Sequence, residues 1–511
     1  MHLLLALVLA NASPVPPAPS RSSDSTLLRV LAINDFHGAL EAQVWPWSEG
    51  RPVGGAAALK SWLDSLARAC GCTTVRLDAG DEMQGTPVSN FNFGRPVISA
   101  MNVFGIDAAA IGNHEFDWSV DTLRARIADA RYRFLAANVT DSGGTTRPDW
   151  AEPFTVIARG GIKVAVIGLA LPETPRTTAP RNVRGLAFGD GAPAVRRVLP
   201  EARAAADFVI VVAHIGAFCD GDGAACHGEI VDLARGLDSG TVDLIVSGHT
   251  HSLVNTVVNG IPIVQARSSG AGIAVVDFVR VMGARREVRA RIETPFADRV
   301  RPDPALADSL RYYEQKIATI TSRPVVRMKS ELRRTGEEHG LGRLIADAQR
   351  NVAKTDVAIV NNGGIRADLP AGLVTYGDLF RVEPFQNRLV RLAVSGKVLK
   401  QALEHAVKGA GADAHVAGIE VWYDPKQRAG HRITRLRLAN GKGVDDGRTY
   451  TLAVGDFLAS GGSGYAMLVD APRDDVGMTD LDALIRYLAI LRQPVEAPDD
   501  GRLHRAGGDR S

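Results

Sequence analysis

Short apolar runs that alternate with amphipathic stretches constrain this chain more than any other feature. Between residue 27 and about residue 293 they point to an α/β domain. The runs cover residues 28–33, 73–77, 134–137, 164–169, 208–213, 244–247 and 261–265, and helices are expected at 56–69, 120–130 and 230–237. The polar residues that follow the runs share one position. Asn34-Asp35, the stretch from Asp78 to Asp81, His214 and Gly248-His249 each lie just past a strand's carboxyl end. In open α/β sheets that edge binds ligands.

The rest of the chain has its own organisation. Pro302 and Pro304 introduce a connecting helix within 301–324, and a second α/β unit follows at 325–495. Its expected elements are a helix at 341–351, a strand at 357–360, a strand then helix across 389–406, and a closing helix at 480–491. The tail, 496–511, is rich in Asp, Gly and Arg and reads as disordered. At 511 residues with 45% apolar composition the chain can bury large cores in two or three domains. Net charge is +2, with Lys and Arg spread throughout, so no nucleic-acid polymer is expected as a partner.

Residues 1–24 read as a signal-like segment and linker. An apolar run at 3–10 precedes Ala10-Asn11-Ala12, a small-x-small cleavage pattern, which predicts a periplasmic or secreted protein. No other apolar run reaches transmembrane length, so no transmembrane anchor is expected. The four cysteines lack zinc-knuckle spacing. Cys219 and Cys226 flank a Gly/Asp-rich loop that a disulfide could close, one of three pairings that four cysteines allow.

Five short motifs in the first unit carry the chemistry. They are Asn34-Asp35-Phe36-His37-Gly38, Gly80-Asp81, Gly112-Asn113-His114-Glu115-Phe116-Asp117, Ala213-His214 and Gly248-His249-Thr250-His251. Each sets metal-ligand side chains beside a small residue that lets backbone approach closely. Extended-chain alternation would point Asp35 with His37, and His249 with His251, to one face. Singly each motif is weak; in this order, at strand ends, the set resembles the calcineurin-like metallophosphoesterases. Asn113-His114-Glu115-Phe116-Asp117 narrows the resemblance to the 5′-nucleotidase family, over residues 28–492.

That resemblance implies an N-terminal four-layer α-β-β-α metallophosphoesterase sandwich at 25–300 and a C-terminal α+β 5′-nucleotidase domain. It assigns Asp35, His37 and His251 to one divalent ion, Asn113, His214 and His249 to a second, and Asp81 to both. A bridging carboxylate holds two dications at the roughly 3.5–4 Å that lets them clamp attacking and leaving oxygens. Zinc, manganese or iron suits this N/O ligand set, with zinc or manganese favoured. His114 is expected to stabilise charge in the transition state, oriented by Asp117. His251 departs from the family, which usually has Gln or Asn there.

In the second unit, Asn361-Asn362-Gly363-Gly364-Ile365-Arg366 and Glu383-Pro384-Phe385-Gln386-Asn387 resemble the family's nucleotide-binding segments. The resemblance gives substrate contacts to Asn361, Arg366, Phe385 and Asn387, stacks the base between Phe385 and Tyr465, and places Asp470 near the ribose. Arg334 or Arg333 takes the role of an upstream family arginine. Ser463 stands where the family usually has Asp, and Gly340 where it often has Asn. The implied activity is phosphate removal from nucleoside 5′-monophosphates; the family also includes periplasmic UDP-sugar hydrolases and 2′,3′-cyclic-nucleotide phosphodiesterases. Alternatives are a thiosulfohydrolase of the same architecture and a nucleotide- or metal-binding protein without turnover. The complete ligand set with His114 and Asp117 argues against the latter. Rotation of the two units about residues 306–320 is also expected.

Overall fold

The computed structural model describes residues 25–220, 225–280, 287–409 and 411–507. The signal-like segment 1–24 lies outside the described residues. Two six-stranded sheets form the N-terminal unit. The first runs Glu287–Glu293, Ile273–Arg280, Ser25–Ile33, Thr73–Asp78, Ala108–Ala110, Arg133–Leu135; the second runs Leu253–Val258, Ile261–Ala266, Leu244–Ser247, Phe208–Ala213, Ile162–Leu169, Phe154–Arg159.

Side-chain alternation explains why these strands are apolar on both faces. Leu28, Val30 and Ala32 point into a core shared with Val164, Ile210 and Val246 of the facing sheet. Leu31 and Ile33 point the other way, onto Leu59 and Leu63 of helix Ala56–Cys70 and Met101 of helix Arg95–Phe104. On the far side Ile167, Val209 and Ile245 pack on Val195 of helix Gly191–Ala205 and Ile230 of helix Glu229–Arg235. The result is four layers, α-β-β-α. The expected strands are all present, with ends shifted by a residue or two at most sites.

Helix Pro304–Thr321 opens on an Asp303 cap with Pro at its first position, and its Leu306, Leu310 and Ile317 pack into the N-terminal core. The C-terminal unit is a five-stranded sheet, Ala414–Ala417, Val357–Asn361, Thr449–Gly455, Arg388–Ser395, Arg473–Thr479. Helices Gly340–Ala353 and Asp480–Leu488 cover one face and helix Gly396–Ala406 the other.

One expectation is corrected here. Part of the tail read as disordered is a strand, Leu503–Arg505, parallel to Ile419–Tyr423. Composition hid its anchor: Arg502 is buried, forks onto Asp347 at 2.8 and 2.9 Å, and donates to the Val416 carbonyl at 3.0 Å. Both cysteine pairs are disulfides, Cys70–Cys72 and Cys219–Cys226, the second joining two short strands of a hairpin.

Candidate metal centre

Five strand ends, three from the first sheet and two from the second, deliver the ligand side chains to one place. Ser25–Ile33 leads to Asp35 and His37, Thr73–Asp78 to Asp81, Ala108–Ala110 to Asn113, Phe208–Ala213 to His214, and Leu244–Ser247 to His249 and His251. The ligands fall into two groups, Asp35/His37/His251 and Asp81/His214/His249, each with donor atoms within 4.8 Å of one another.

The backbone that presents them is not extended. Asp35, His37, Asp81, His249 and His251 have φ of 50°, 49°, 57°, 76° and 55°. Left-handed turns, not strand alternation, therefore bring each pair to one face. Non-glycine residues in this region cost about 1 kcal/mol or more each, and such strain persists only where surroundings enforce it. Here the enforcement is a ladder between loops: Asp35 N donates to Gly80 O at 2.9 Å, His37 N to Asp81 O at 3.0 Å, and Gly38 N to Glu82 O at 2.9 Å.

Glu115, quoted in a motif but given no role by the sequence, completes that enforcement. Its carboxylate is wholly buried and accepts from the backbone amides of Asp81, Glu82 and Gly112, each at 2.8 Å. It thus stitches the Asp81 loop to the Asn113 loop. A Cβ on Gly112 would lie 2.2 Å from an Asp81 carboxylate oxygen, so only glycine fits that seam.

Hydrogen bonds set which atoms face the site. His37 Nδ1 sits 2.9 Å from the Gln84 carbonyl and His214 Nδ1 2.8 Å from the Ala79 carbonyl, so both rings donate there and turn Nε2 inward. His214 Nε2 lies 3.0 Å from Asp81 Oδ2, and that oxygen is 3.8 Å from His37 Nε2, so Asp81 reaches both groups. His37 Nε2 is 2.9 Å from His251 Nε2. His249 Nδ1 and Asn113 Oδ1 are buried without hydrogen-bond partners. Lone-pair donors converging without proton partners fit divalent cations.

Electrostatics follow the same pattern. Burial, then the Arg366 guanidinium, hold His37 well below the ordinary imidazole range. Burial opposes charge on His214, yet the Asp81 carboxylate pushes it up to about 10; burial, then His214, pull His249 down to about 4. Asp81 stays well below the carboxylate range: burial opposes its charge, but His214 and His114 outweigh it. Burial raises Glu115 to about 7.

His114 Nδ1 is 2.7 Å from Asp117 Oδ2, and Asp117 in turn accepts from Thr178 at 2.8 Å. The backbone amide of His114 donates to Asp81 Oδ1 at 2.8 Å. The C-terminal unit closes over this edge. Arg366 Nη2 lies 3.2 Å from His37 Nε2, and the Phe385 ring stacks on His114 at 5.4 Å and 24°. Beside them a cavity of about 810 Å³ is lined by His37, His251, Trp45, Arg334, Arg366 and Arg381, among others.

The other expected substrate residues lie further out. Asn361 reaches Ser463 Oγ at 3.5 Å, and Ser463 has a φ of 51°. Arg334 donates to the Ile365 carbonyl at 2.9 Å, and Asn387 to Asp480 at 2.9 Å. Tyr465 is buried against His405 at 4.6 Å, its hydroxyl without a partner, while Asp470 is exposed. Among the described residues no helix is long and apolar enough to cross a membrane.

The calcineurin-like phosphoesterase family matches residues 28–253, and the 5′-nucleotidase C-terminal domain family residues 316–470. The chain is 29% identical to a 5′-nucleotidase of Vibrio cholerae, over 95% of this chain and 95% of that protein. It is 30% identical, over 94% of its own length, to an endonuclease of Bacillus subtilis, but spans only 41% of that protein. The crystal structure of a 5′-nucleotidase precursor from Thermus thermophilus matches with a TM-score of 0.83 at 29% identity, covering 94% of this chain and 100% of that one.

Proposed function

Given that the chain belongs to the 5′-nucleotidase family of metal-dependent phosphoester hydrolases, we propose that it removes phosphate from nucleoside 5′-monophosphates. One observation carries the reading: Arg366 and Phe385 of the C-terminal unit lie directly against His37 and His114 of the metal centre. A cation that grips phosphate and an aromatic ring that stacks a base thus meet the groups that activate water.

Asp35, His37 and His251 would hold one ion and Asn113, His214 and His249 the other, with Asp81 shared; zinc or manganese suits the donors. Such a pair supplies Lewis acidity toward the phosphoryl oxygens and lowers the pKa of water. His114 keeps its Nδ1 proton on Asp117, which leaves Nε2 free to bond a phosphoryl oxygen. Arg366, with Arg334 behind it, neutralises the phosphate. Asn361, Asn387 and Asp470 hold the nucleoside and Phe385 flanks the base; Tyr465, expected on the base's other face, is buried in the core of the C-terminal unit against His405, and rotation of the two units would not expose it. Export to the periplasm or medium is supported by the apolar segment at residues 3–10 and by two disulfides.

The test is phosphate release from AMP, UMP, UDP-glucose and 2′,3′-cyclic AMP with zinc, manganese or cobalt, beside His114→Ala. Metal-dependent release from AMP or UMP that falls by about 10²-fold or more in the variant supports the reading. No release with metals bound would overturn it in favour of a thiosulfohydrolase or a binding protein.

A further inference from the structure

A second polar pocket, whose lining does not include the candidate metal ligands, lies inside the C-terminal unit. It is a cavity of about 20 Å³ lined by Gln349, Asn361, Glu383, Asn387, Gly455 and Asp480, with apolar neighbours. That volume holds one water-sized body. Three elements converge on it: helix Gly340–Ala353 brings Gln349, the turn after helix Tyr376–Val382 brings Glu383, and the first residue of helix Asp480–Leu488 brings Asp480. Exposures are 3%, 4% and 5%, so all three residues are buried.

We propose that this cavity binds one hard cation of calcium size, held by Glu383, Asp480 and Gln349. Two carboxylates share the space, and among the described residues neither has an ion pair with Lys, Arg or His. Ionised carboxylates buried without a counter-charge are strongly unfavourable: burial, then the Asp480 carboxylate, pushes Glu383 well up, and burial pushes Asp480 to about 7 against hydrogen bonds from Asn387 and Leu481. Glu383 Oε2 and Gln349 Oε1 are buried acceptors without partners. Without a counter-charge the two carboxyls would take up protons; a dication would instead keep them ionised and engage the unpartnered oxygens.

The donor set selects the ion. Among the described residues neither Cys nor His lines the pocket, which disfavours zinc. Magnesium keeps several of its waters, for which there is no room, whereas calcium accepts carboxylate and amide oxygens at about 2.3–2.6 Å in irregular geometry. Asp480 Oδ2 accepts from Asn387 Nδ2 at 2.9 Å, Asp480 N donates to Asn387 O at 2.9 Å, and Asn361 lines the same pocket. The ion would therefore fix two residues to which the nucleotidase reading gives substrate contacts, and any effect on KM rests on that reading.

Binding itself is tested without it. Zinc-loaded full-length protein is dialysed against micromolar to millimolar calcium, and calcium and zinc per chain are measured with the thermal midpoint. The expected result is one calcium per chain at unchanged zinc content, with a midpoint several degrees higher. Asp480→Asn and the uncharged-ligand variant Gln349→Leu should each weaken calcium binding at least 10-fold while keeping zinc and the native circular dichroism spectrum. If Asp480→Asn does not fold, Gln349→Leu decides alone. Absence of calcium binding in the wild-type protein, or binding unchanged in the variants, overturns the proposal and leaves the cavity to water or a shared proton. If calcium binds but AMP is not hydrolysed, the site stands and the nucleotidase reading falls.

Discussion

Replacing Glu115 probes whether the ligand loops are held from behind. The carboxylate accepts three backbone amides at 2.8 Å while fully buried. Oε2 serves Asp81 and Gly112, and Oε1 serves Glu82. In Glu115→Gln the remaining oxygen can keep the first two, but the new NH₂ then faces the Glu82 amide, donor against donor. Loss of one charge-assisted bond and one stranded amide predicts about 2–3 kcal/mol of destabilisation, and Glu115→Ala, which strands all three, roughly 4–6 kcal/mol. The same loosening lets Asp81 relax out of its left-handed turn, φ 57°. Groups that orient metal ligands are typically worth about 10–100-fold in metal affinity, so Glu115→Gln should need correspondingly more manganese for half-maximal occupancy. Urea unfolding of metal-free protein, read on the N-terminal transition, measures the first effect; manganese titration with metal analysis measures the second. A Glu115→Gln protein that loses less than about 0.5 kcal/mol and binds two ions at wild-type affinity would refute this account.

Two other perturbations have definite signs. Breaking Cys219–Cys226 by Cys219→Ser with Cys226→Ser opens a short loop and should cost about 2–3 kcal/mol by chain entropy, seen as a lower thermal midpoint of the N-terminal unit with the C-terminal transition unmoved. His415 is wholly buried, and burial, with His339 and Arg343 nearby, holds it down to about 3. Folded protein thus keeps it neutral while the unfolded chain takes up a proton below about pH 6.5. Stability should fall as pH drops from about 6.5 toward 4, by up to about 1.4 kcal/mol per unit from this residue. Urea midpoints of the C-terminal transition that do not change over that window would contradict it.

Periodicity made the strands legible because each apolar run must face a core, and in this fold it faces two: Val30 meets the opposite sheet while Leu31 meets the helices. The convergence of the candidate ligands was legible for the same reason, since residues at the carboxyl ends of parallel strands have one place to go. Helix Gly191–Ala205 carries Pro200 in its interior, which masks it in the sequence, and strand Leu503–Arg505 is masked by its Gly- and Asp-rich surroundings. Left-handed turns at Asp35, His37, Asp81, His249 and His251 leave no trace in residue type, for none of these is glycine. They exist because distant backbones hold them.

The sequence by itself therefore determined the layered α/β class, the candidate ligand side chains and the two-unit plan, all of which follow from local periodicity and residue chemistry. Tertiary structure alone decided what those side chains meet. Glu115 clasps amides from two loops, Arg366 reaches His37 across 329 residues, and Glu383 and Asp480 share one small pocket. Hydrogen bonds and burial depend on separations in space, and no spacing along the chain encodes those.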